Sequence, residues 1–216
     1  IFPYAFPSAL SLVVSVFLLT ITIQTGKHKK QNRLFQLFTL YFLLQSVFYL
    51  DSFLAVLAAT KEVALFINRA SHAFYLFIGP LSLQFFHEIV GIRHRRWLER
   101  SYYLVSLLFV PITQTSYYFS DEHRYFYGFF PKGGPALQLM LILSCLGLAY
   151  GIRILWKEFQ QTSSEEHKTK IQFVLIVVVA NLSLVLFNVI PVWGYEIYHP
   201  ANFGFISMSL IGYGLL

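Results

Sequence analysis

Long apolar segments separated by short polar stretches dominate the pattern along the chain. Seven segments approach the roughly 20 apolar residues that a helix needs to cross the hydrocarbon core of a bilayer. They run over residues 4–24, 34–59, 63–90, 101–119, 136–157, 171–194 and 201–216. The runs are continuously apolar rather than alternating, which is typical of helices and not of barrel strands. The pattern therefore predicts an all-α, polytopic membrane protein built as a seven-helix bundle.

Basic residues are unevenly shared between the loops that join these segments. The first, third and fifth loops together carry 12 Lys and Arg residues, whereas the second, fourth and sixth carry 3. Since cytoplasmic loops of membrane proteins are enriched in Lys and Arg, the odd-numbered loops are predicted to face the cytoplasm. This arrangement places the N-terminus outside and the end of the seventh helix on the cytoplasmic side.

The composition agrees with a membrane protein and excludes several other classes. Hydrophobic residues make up 56% of the 216 residues and charged residues 12%, whereas soluble domains contain about 25% charged residues. A soluble domain, a disordered chain and a disulfide scaffold are therefore excluded. The chain begins with Ile1 rather than Met and stops inside an apolar stretch. We therefore expect residues 1–216 to be one seven-helix domain of a longer protein.

A group of polar and ionisable residues lies inside the predicted spans, in their outer halves. Such residues are costly in a membrane and usually face the interior of the bundle. The group consists of Asp51, Asn68, Arg69, His72, Gln114 and Asn188. Asp51 and Arg69 fall at similar depths on antiparallel neighbours, so an ion pair between them is predicted.

Two interpretations of this group stay open. It can be a ligand pocket, in which the Arg69 guanidinium would hold an anionic or carbonyl group. It can equally be a structural ion pair with interhelical hydrogen bonds that stabilise the bundle. At the inner end of the third span, His87 and Glu88 are interpreted as interfacial residues with solvated heads.

Three prolines and one aromatic loop modify the simple bundle. Pro80, Pro111 and Pro191 are expected to kink the third, fourth and sixth helices, because each removes a backbone hydrogen bond. The fourth loop, between the fourth and fifth helices, is rich in aromatic residues and also contains Gly and Pro. We expect it to form an ordered cap on the outer side.

The sequence carries no recognisable catalytic or cofactor motif. The His residues are scattered, and the chain has no HExxH, CxxC or Walker-type loop. A retinal pigment would need a Lys in its last helix, and residues 201–216 contain none. We therefore expect no catalytic residue, metal, cofactor or nucleic-acid partner for this chain.

Three stretches resemble the N-terminal seven-helix sensor region of bacterial membrane histidine kinases and related cyclase and phosphatase receptors. RLFQLFTLYFLLQSVFYL is similar to that family's basic turn followed by an aromatic-rich helix. NRASHAFYLFIGPLSLQFFHEI is similar to its third helix, with a polar outer end and a central Pro. NVIPVWGYEIYHPANFGFISMSLIGYGLL resembles its sixth helix, outer turn and seventh helix.

The resemblance implies a receptor module in the bacterial cytoplasmic membrane. A small ligand bound on the outer side would shift the helices, and the seventh helix would pass the shift to a cytoplasmic kinase, cyclase or phosphatase, usually within a homodimer. A small-molecule transporter is the alternative function, and it is disfavoured because the prolines do not map onto repeated halves. An intramembrane enzyme would need a catalytic constellation, and the sequence shows none.

Overall fold

The computed structural model describes residues 2–28, 33–92, 96–198, 200–204, 206 and 209–210. This part of the chain contains eight α-helices, a two-stranded β-hairpin and a short 3-10 turn. The helices are α1 (Phe2–His28), α2 (Arg33–Leu57), α3 (Lys61–Tyr75), α4 (Ile78–Val90), α5 (Arg96–Thr113), α6 (Pro135–Gln161), α7 (Glu165–Phe187) and α8 (Val189–Val192). The strands are β1 (Phe119–Tyr125) and β2 (Gly128–Gly133), and the 3-10 turn is Pro200–Phe203.

Four helical stretches in the described part are long and apolar enough to cross a membrane. They are Pro3–Thr25, Arg33–Leu57, Lys61–Val90 and Pro135–Gln161. These stretches correspond to the first, second, third and fifth predicted spans, while α5 and α7 occupy the fourth and sixth. Most of the seventh predicted span, 201–216, lies outside the described residues. Seven crossings and their direction therefore stay predictions.

The order of helix contacts brings the chain back to its beginning. Helix α1 packs along α2, α2 contacts α3 and α4, α4 contacts α6, and α6 contacts α7. The 3-10 turn contacts both α1 and α7, so the succession of neighbours closes on α1. Helix α5 packs against α3 and α4. The long helices thus surround a central space.

The third predicted span is interrupted near its middle. Helix α3 ends at Tyr75 and α4 begins at Ile78. Pro80 has no backbone N–H, and its ring clashes with the carbonyl group four residues earlier, which is that of Leu76. The Leu76 carbonyl oxygen instead accepts a 2.7 Å hydrogen bond from the Ser106 hydroxyl of α5. The predicted kink is confirmed, and Ser106 supplies the donor that Pro80 lacks.

Replacing Ser106 with alanine is expected to destabilise the protein by about 1–3 kcal/mol, because a buried carbonyl group loses its donor. The measurement is the thermal unfolding midpoint of the purified protein in detergent. Ser101→Ala is the matched control, because Ser101 lies on the same helix and is exposed. Equal midpoints for the two variants would contradict the role given to Ser106.

The break in the sixth predicted span follows the same rule. The residue four positions before Pro191 is Phe187, and α7 ends at Phe187. The short helix α8 then contains Pro191, whose carbonyl oxygen accepts a 2.7 Å hydrogen bond from the Tyr125 hydroxyl of β1. The predicted kink is therefore a complete interruption, and it gives the hairpin an attachment point.

The fourth span is shorter than its predicted range of 101–119. Helix α5 ends at Thr113, so Pro111 lies in its last turn. The following residues form turns in which the Thr115 N–H bonds to the Ile112 oxygen and the Tyr118 N–H to the Thr115 oxygen. The apolar run suggested a continuing helix, but these polar residues end it and Phe119 begins a strand.

The fourth loop forms a β-hairpin that covers one end of the bundle. Strands β1 and β2 pair antiparallel, with Phe119 opposite Gly133 and Tyr125 opposite Gly128. Gly128 has a φ of +136°, and a Cβ atom at this position would collide with the backbone of Val56 on α2. The expectation of an ordered segment is confirmed. The end of the bundle that carries residues 119–133 is called the hairpin end below.

Candidate ligand-binding cavity

A cavity of about 870 Å³ occupies the space between the helices. Residues of α2 line it from Leu34 to Val56, which corresponds to about 33 Å of helix length. Residues of α4, α6 and α7 complete its mostly apolar walls. At the hairpin end, Phe119, Phe129, Phe130 and Pro131 lie over it. The cavity is therefore long, narrow and roofed by the hairpin.

Polar side chains concentrate at the roofed end of this cavity. Four of the six predicted site residues line it, namely Asp51, Asn68, His72 and Asn188. The His72 Nδ1–H donates a 2.9 Å hydrogen bond to the Asn68 carbonyl oxygen, so Nδ1 carries the proton. The His72 ring also makes edge contacts with Tyr75 and Phe119, at centroid distances of 4.5 Å.

Asp51 is the most unusual member of this group. Asp51 is 6% exposed, and its Oδ2 atom accepts a 3.3 Å hydrogen bond from the Tyr75 hydroxyl. Its Oδ1 atom is buried and has no hydrogen-bond partner among the described residues. An unsatisfied buried carboxylate oxygen is costly, because it has lost its hydration without replacement. This atom is the strongest indication that the cavity receives a hydrogen-bond donor.

The other two predicted site residues, Arg69 and Gln114, do not line the cavity. Arg69 donates a 2.7 Å hydrogen bond to the Phe119 carbonyl oxygen. Gln114 donates at 2.9 Å to the Arg69 carbonyl oxygen. Both side chains therefore attach the hairpin and the end of α5 to α3.

The predicted ion pair between Asp51 and Arg69 is wrong, since these two described residues form no contact within ion-pair distance. Asn68, His72 and Tyr75 follow one another at intervals of four and three residues and share the face of α3 that meets the cavity. Arg69 is rotated from Asn68 by about 100° around the helix axis. On the face of α3 that carries Arg69, the acceptor is the Phe119 backbone oxygen of the hairpin. The hydropathy pattern does not indicate this acceptor.

Two side-chain contacts attach the hairpin to α3. The Asn68 amide donates a 2.9 Å hydrogen bond to Glu122 Oε1. Lys61 Nζ lies 2.6 Å from Asp121 Oδ1, and this bond lowers the pKa of the Asp121 carboxyl. Glu122 is buried, and burial raises the pKa of its carboxyl to about 8, although the bond from Asn68 and the charge of Arg69 oppose the change.

This raised pKa predicts that stability falls as pH rises. The folded protein keeps the proton on Glu122 between its ordinary pKa of about 4.5 and about 8, whereas the unfolded chain releases it. The stabilisation is complete below pH 4.5 and is lost as pH rises through 8, by up to about 1.4 kcal/mol per pH unit. Unfolding midpoints measured from pH 4.5 to 9 check this. The slope should flatten in Glu122→Gln and persist in the exposed control Glu62→Gln.

A second buried polar cluster lies at the opposite end of the bundle. His87, interpreted from the sequence as interfacial, is only 1% exposed, so that interpretation is wrong. Its Nδ1 atom lies 2.8 Å from Glu99 Oε1, and its Nε2 atom lies 3.4 Å from the Tyr150 hydroxyl. Arg33 lies 3.5 Å from Glu88 and 3.9 Å from Glu99. The cluster joins α2, α4, α5 and α6.

No group of three or more His, Cys, Asp or Glu side chains is placed to hold a metal ion within the described ranges. The polar groups at the roofed end of the cavity include one carboxylate, two amides, one imidazole and the hydroxyls of Ser52 and Tyr75, which suits hydrogen bonding to an organic ligand. The four apolar helical stretches define a multi-pass membrane protein.

The sequence matches a family model described as the N-terminal 7TM region of histidine kinase, over residues 7–216. The chain therefore belongs to this family, and the resemblance seen in the sequence is confirmed. The family is the sensor region of histidine kinases and is not itself catalytic. A comparison with curated proteins finds no match.

Proposed function

We propose that the chain is a seven-helix sensor domain spanning residues 1–216 of a bacterial cytoplasmic membrane protein. A small ligand binds at the roofed end of the cavity, where Asp51, Asn68, His72 and Asn188 converge. Arg69 and Gln114 hold the roof in place rather than contacting the ligand. The observation that carries the proposal is the buried, unpartnered Oδ1 atom of Asp51 in the cavity of a sensor-family bundle.

The distribution of charge supports an outward-facing hairpin. Basic residues of the described part are more numerous at the end opposite the hairpin than at the hairpin end. Those at the opposite end lie in the first turns of α2 and α5 and on both sides of the turn between α6 and α7, and they are Arg33, Arg96, Arg100, Arg153, Lys157, Lys168 and Lys170. Those at the hairpin end are Lys61, Arg69, Arg124 and Lys132. Under the positive-inside rule the end opposite the hairpin faces the cytoplasm, and the N-terminus and hairpin face outward.

The hairpin also contacts the segment that leads into the last predicted span. The Tyr127 hydroxyl donates a 3.0 Å hydrogen bond to the Ile197 carbonyl oxygen, and the Phe126 N–H donates at 2.8 Å to Glu196. Farther along, Ser11 of α1 donates at 2.7 Å to the Asn202 carbonyl oxygen. A ligand that moves the roof would therefore move the beginning of the seventh helix.

This route supplies a physical mechanism for signalling. A ligand shifts the balance between two bundle arrangements only if it binds them unequally. A difference of about 1–3 kcal/mol in binding free energy gives about 5–150-fold control. The seventh helix carries the change to a cytoplasmic output domain, which acts as a homodimer. The contacts of Asn68 and Lys61 with the roof favour this function over the alternative, transport, which requires the roofed end to open.

The test removes the hairpin's two tyrosine hydroxyl bonds in the double variant Tyr125→Phe with Tyr127→Phe. Autophosphorylation of the kinase in membrane vesicles should change by about fivefold or more, since the coupling passes through these bonds. Tyr117→Phe is the matched control, because Tyr117 lies just before the same hairpin and is 68% exposed. Unchanged autophosphorylation in a correctly folded double variant would refute the proposed route.

The orientation of the domain in the membrane can be tested separately by thiol labelling of intact cells in a Cys145→Ala background. A membrane-impermeant reagent should modify Lys132→Cys, on β2, and spare Arg100→Cys, on α5. Both positions are exposed in the structure. The opposite labelling pattern would reverse the proposed orientation.

A further inference from the structure

The shape of the cavity restricts what can occupy it. A volume of about 870 Å³ open to the centres of water molecules, along about 33 Å of helix, corresponds to a width of about 6 Å for those centres. Adding a water radius of about 1.4 Å on each side gives about 9 Å between the walls. A helix with its side chains is about 10–12 Å wide, so a helical peptide does not fit. The walls are mostly apolar, with polar groups near the two ends. A single extended apolar chain with one polar head matches this shape.

The ionisable groups that line the cavity differ in whether they already have a partner. Near the end opposite the hairpin, Glu88 pairs with Arg33, His167 lies 3.5 Å from Glu158, and Lys170 lies 2.5 Å from Glu166. These groups need nothing from a ligand.

Asp51, at the roofed end, is different. Its Oδ1 atom has no partner within the described part of the chain. The two nearest cationic side chains along the sequence at this end are engaged elsewhere, Arg69 with the Phe119 carbonyl oxygen and Lys61 with Asp121. A buried carboxylate without a counter-charge is strongly destabilising, and a cation that also donates hydrogen bonds relieves the cost.

Aromatic rings surround this carboxylate. Tyr75 donates to it, the ring of Phe48 lies 5.1 Å from that of Tyr75, and Tyr49 and Tyr118 line the same region. The faces of aromatic rings attract a cation that lies within about 6 Å of the ring centroid. Within the described part of the chain, no Lys or Arg side chain lines this end of the cavity, so an anionic head group would meet aromatic ring faces without a cation beside them.

From these observations we propose that the ligand is an amphiphile with a protonated primary amine, whose head bonds to Asp51 and whose apolar chain extends along α2. This inference rests on the proposed function, because it names the chemical class of ligand for the same cavity. Asn68, His72 and Asn188 line the space beside the head. The ionisable groups at the far end are already paired, so the unpartnered Asp51 oxygen fixes the direction of the ligand.

The test is photo-crosslinking of the purified protein in phosphatidylcholine nanodiscs, with a diazirine-bearing dodecylamine as the probe. Crosslinks should map to cavity residues and be displaced by dodecylamine. Dodecanoate lacks the positive charge and dodecyltrimethylammonium lacks an N–H donor, so both should compete at least about tenfold less well. Equal competition by dodecanoate would overturn the proposal.

Substitutions of Asp51 test whether the amine of the probe binds to its carboxylate. Asp51→Asn should weaken probe binding at least about tenfold, whereas Asp51→Glu, which keeps the charge, should retain most of it. Glu62→Gln is the control, because Glu62 carries a carboxylate at an exposed position of α3 and does not line the cavity. Binding unaffected by Asp51→Asn in a folded protein would refute the assignment. If Asp51→Asn fails to fold, loss of binding in Asp51→Glu as well would refute it.

The amine can come from a lipid head group or from a diffusible compound, and the nanodisc lipid distinguishes them. Added lysophosphatidylethanolamine, which has a primary amine and a single acyl chain, should displace the probe if the lipid is the source and leave it bound if the source is diffusible. The outcome for the proposed function is separate. If the amine does not bind but the tyrosine double variant alters autophosphorylation, only the ligand class is rejected. If the amine binds but the double variant leaves autophosphorylation unchanged, only the signalling route is rejected.

Discussion

Replacing Glu99 with leucine is expected to destabilise the protein by about 3–5 kcal/mol, one of the two largest effects predicted for a single substitution. Glu99 is 6% exposed, and its Oε1 atom lies 2.8 Å from Nδ1 of the fully buried His87. Removing the carboxylate leaves the His87 N–H without an acceptor inside the bundle. It also removes one of the two contacts of Arg33. The measurement is the midpoint of unfolding in detergent.

The first control is the double variant in which His87→Leu is combined with Glu99→Leu. When both partners of a buried pair become apolar, the structure often recovers much of the stability lost with one partner. We therefore expect the double variant to be more stable than Glu99→Leu alone. Glu165→Leu, at an exposed position of α7, should change the midpoint little. If Glu99→Leu behaves like Glu165→Leu, the buried pair does not hold α4 and α5 together.

The helices were predictable because their causes are local. Continuous apolar runs identified α1, α2, α6 and the combined stretch of α3 and α4, all of which are long enough to cross a membrane. Pro80 and Pro191 predicted the two interruptions, because a proline ring clashes with the carbonyl group four residues earlier and cannot donate a hydrogen bond to it. The same reasoning predicted a kink at Pro111, but α5 continues through this residue and ends at Thr113.

The hairpin was less predictable, because strand pairing depends on the partner strand and on the surface beneath it. Composition indicated an ordered loop, but the pairing of Phe119 with Gly133 has no signature in the hydropathy pattern. The close approach of Gly128 to Val56 likewise depends on where α2 ends in space. For that reason the fourth span was extended too far, to residue 119.

The candidate site shows the same division. Burial cost alone selected Asp51, Asn68, His72 and Asn188, and these four side chains do meet in one cavity. Their partners could not be selected in this way. The choice between Asp51 and the Phe119 carbonyl oxygen as the partner of Arg69 depends on a rotation of one residue around α3. The pair of His87 and Glu99 is separated by a basic loop, and neither residue alone indicates the other.

The second large effect is expected for Phe119, which joins the roof of the cavity to the packed interior. Phe119 is 0% exposed and packs with Leu76, Tyr118, Leu137 and Met140. Its ring contacts His72 edge-on, at a centroid distance of 4.5 Å. Replacing it with alanine should cost about 3–5 kcal/mol, because the lost ring leaves a void that the hairpin and helices can fill only in part.

The same substitution should also disturb the site more than the unfolding midpoint alone reveals. The Phe119 backbone oxygen, which holds Arg69, remains in Phe119→Ala, so the roof stays attached while its inner surface recedes. Hydrogen exchange of residues 119–133 should therefore increase, together with the drop in the unfolding midpoint. Tyr117→Ala, two residues away and 68% exposed, is the matched control and should change neither quantity appreciably. Similar exchange in the two variants would show that the hairpin is held by its strand pairing and polar contacts, and that the packing of Phe119 adds little.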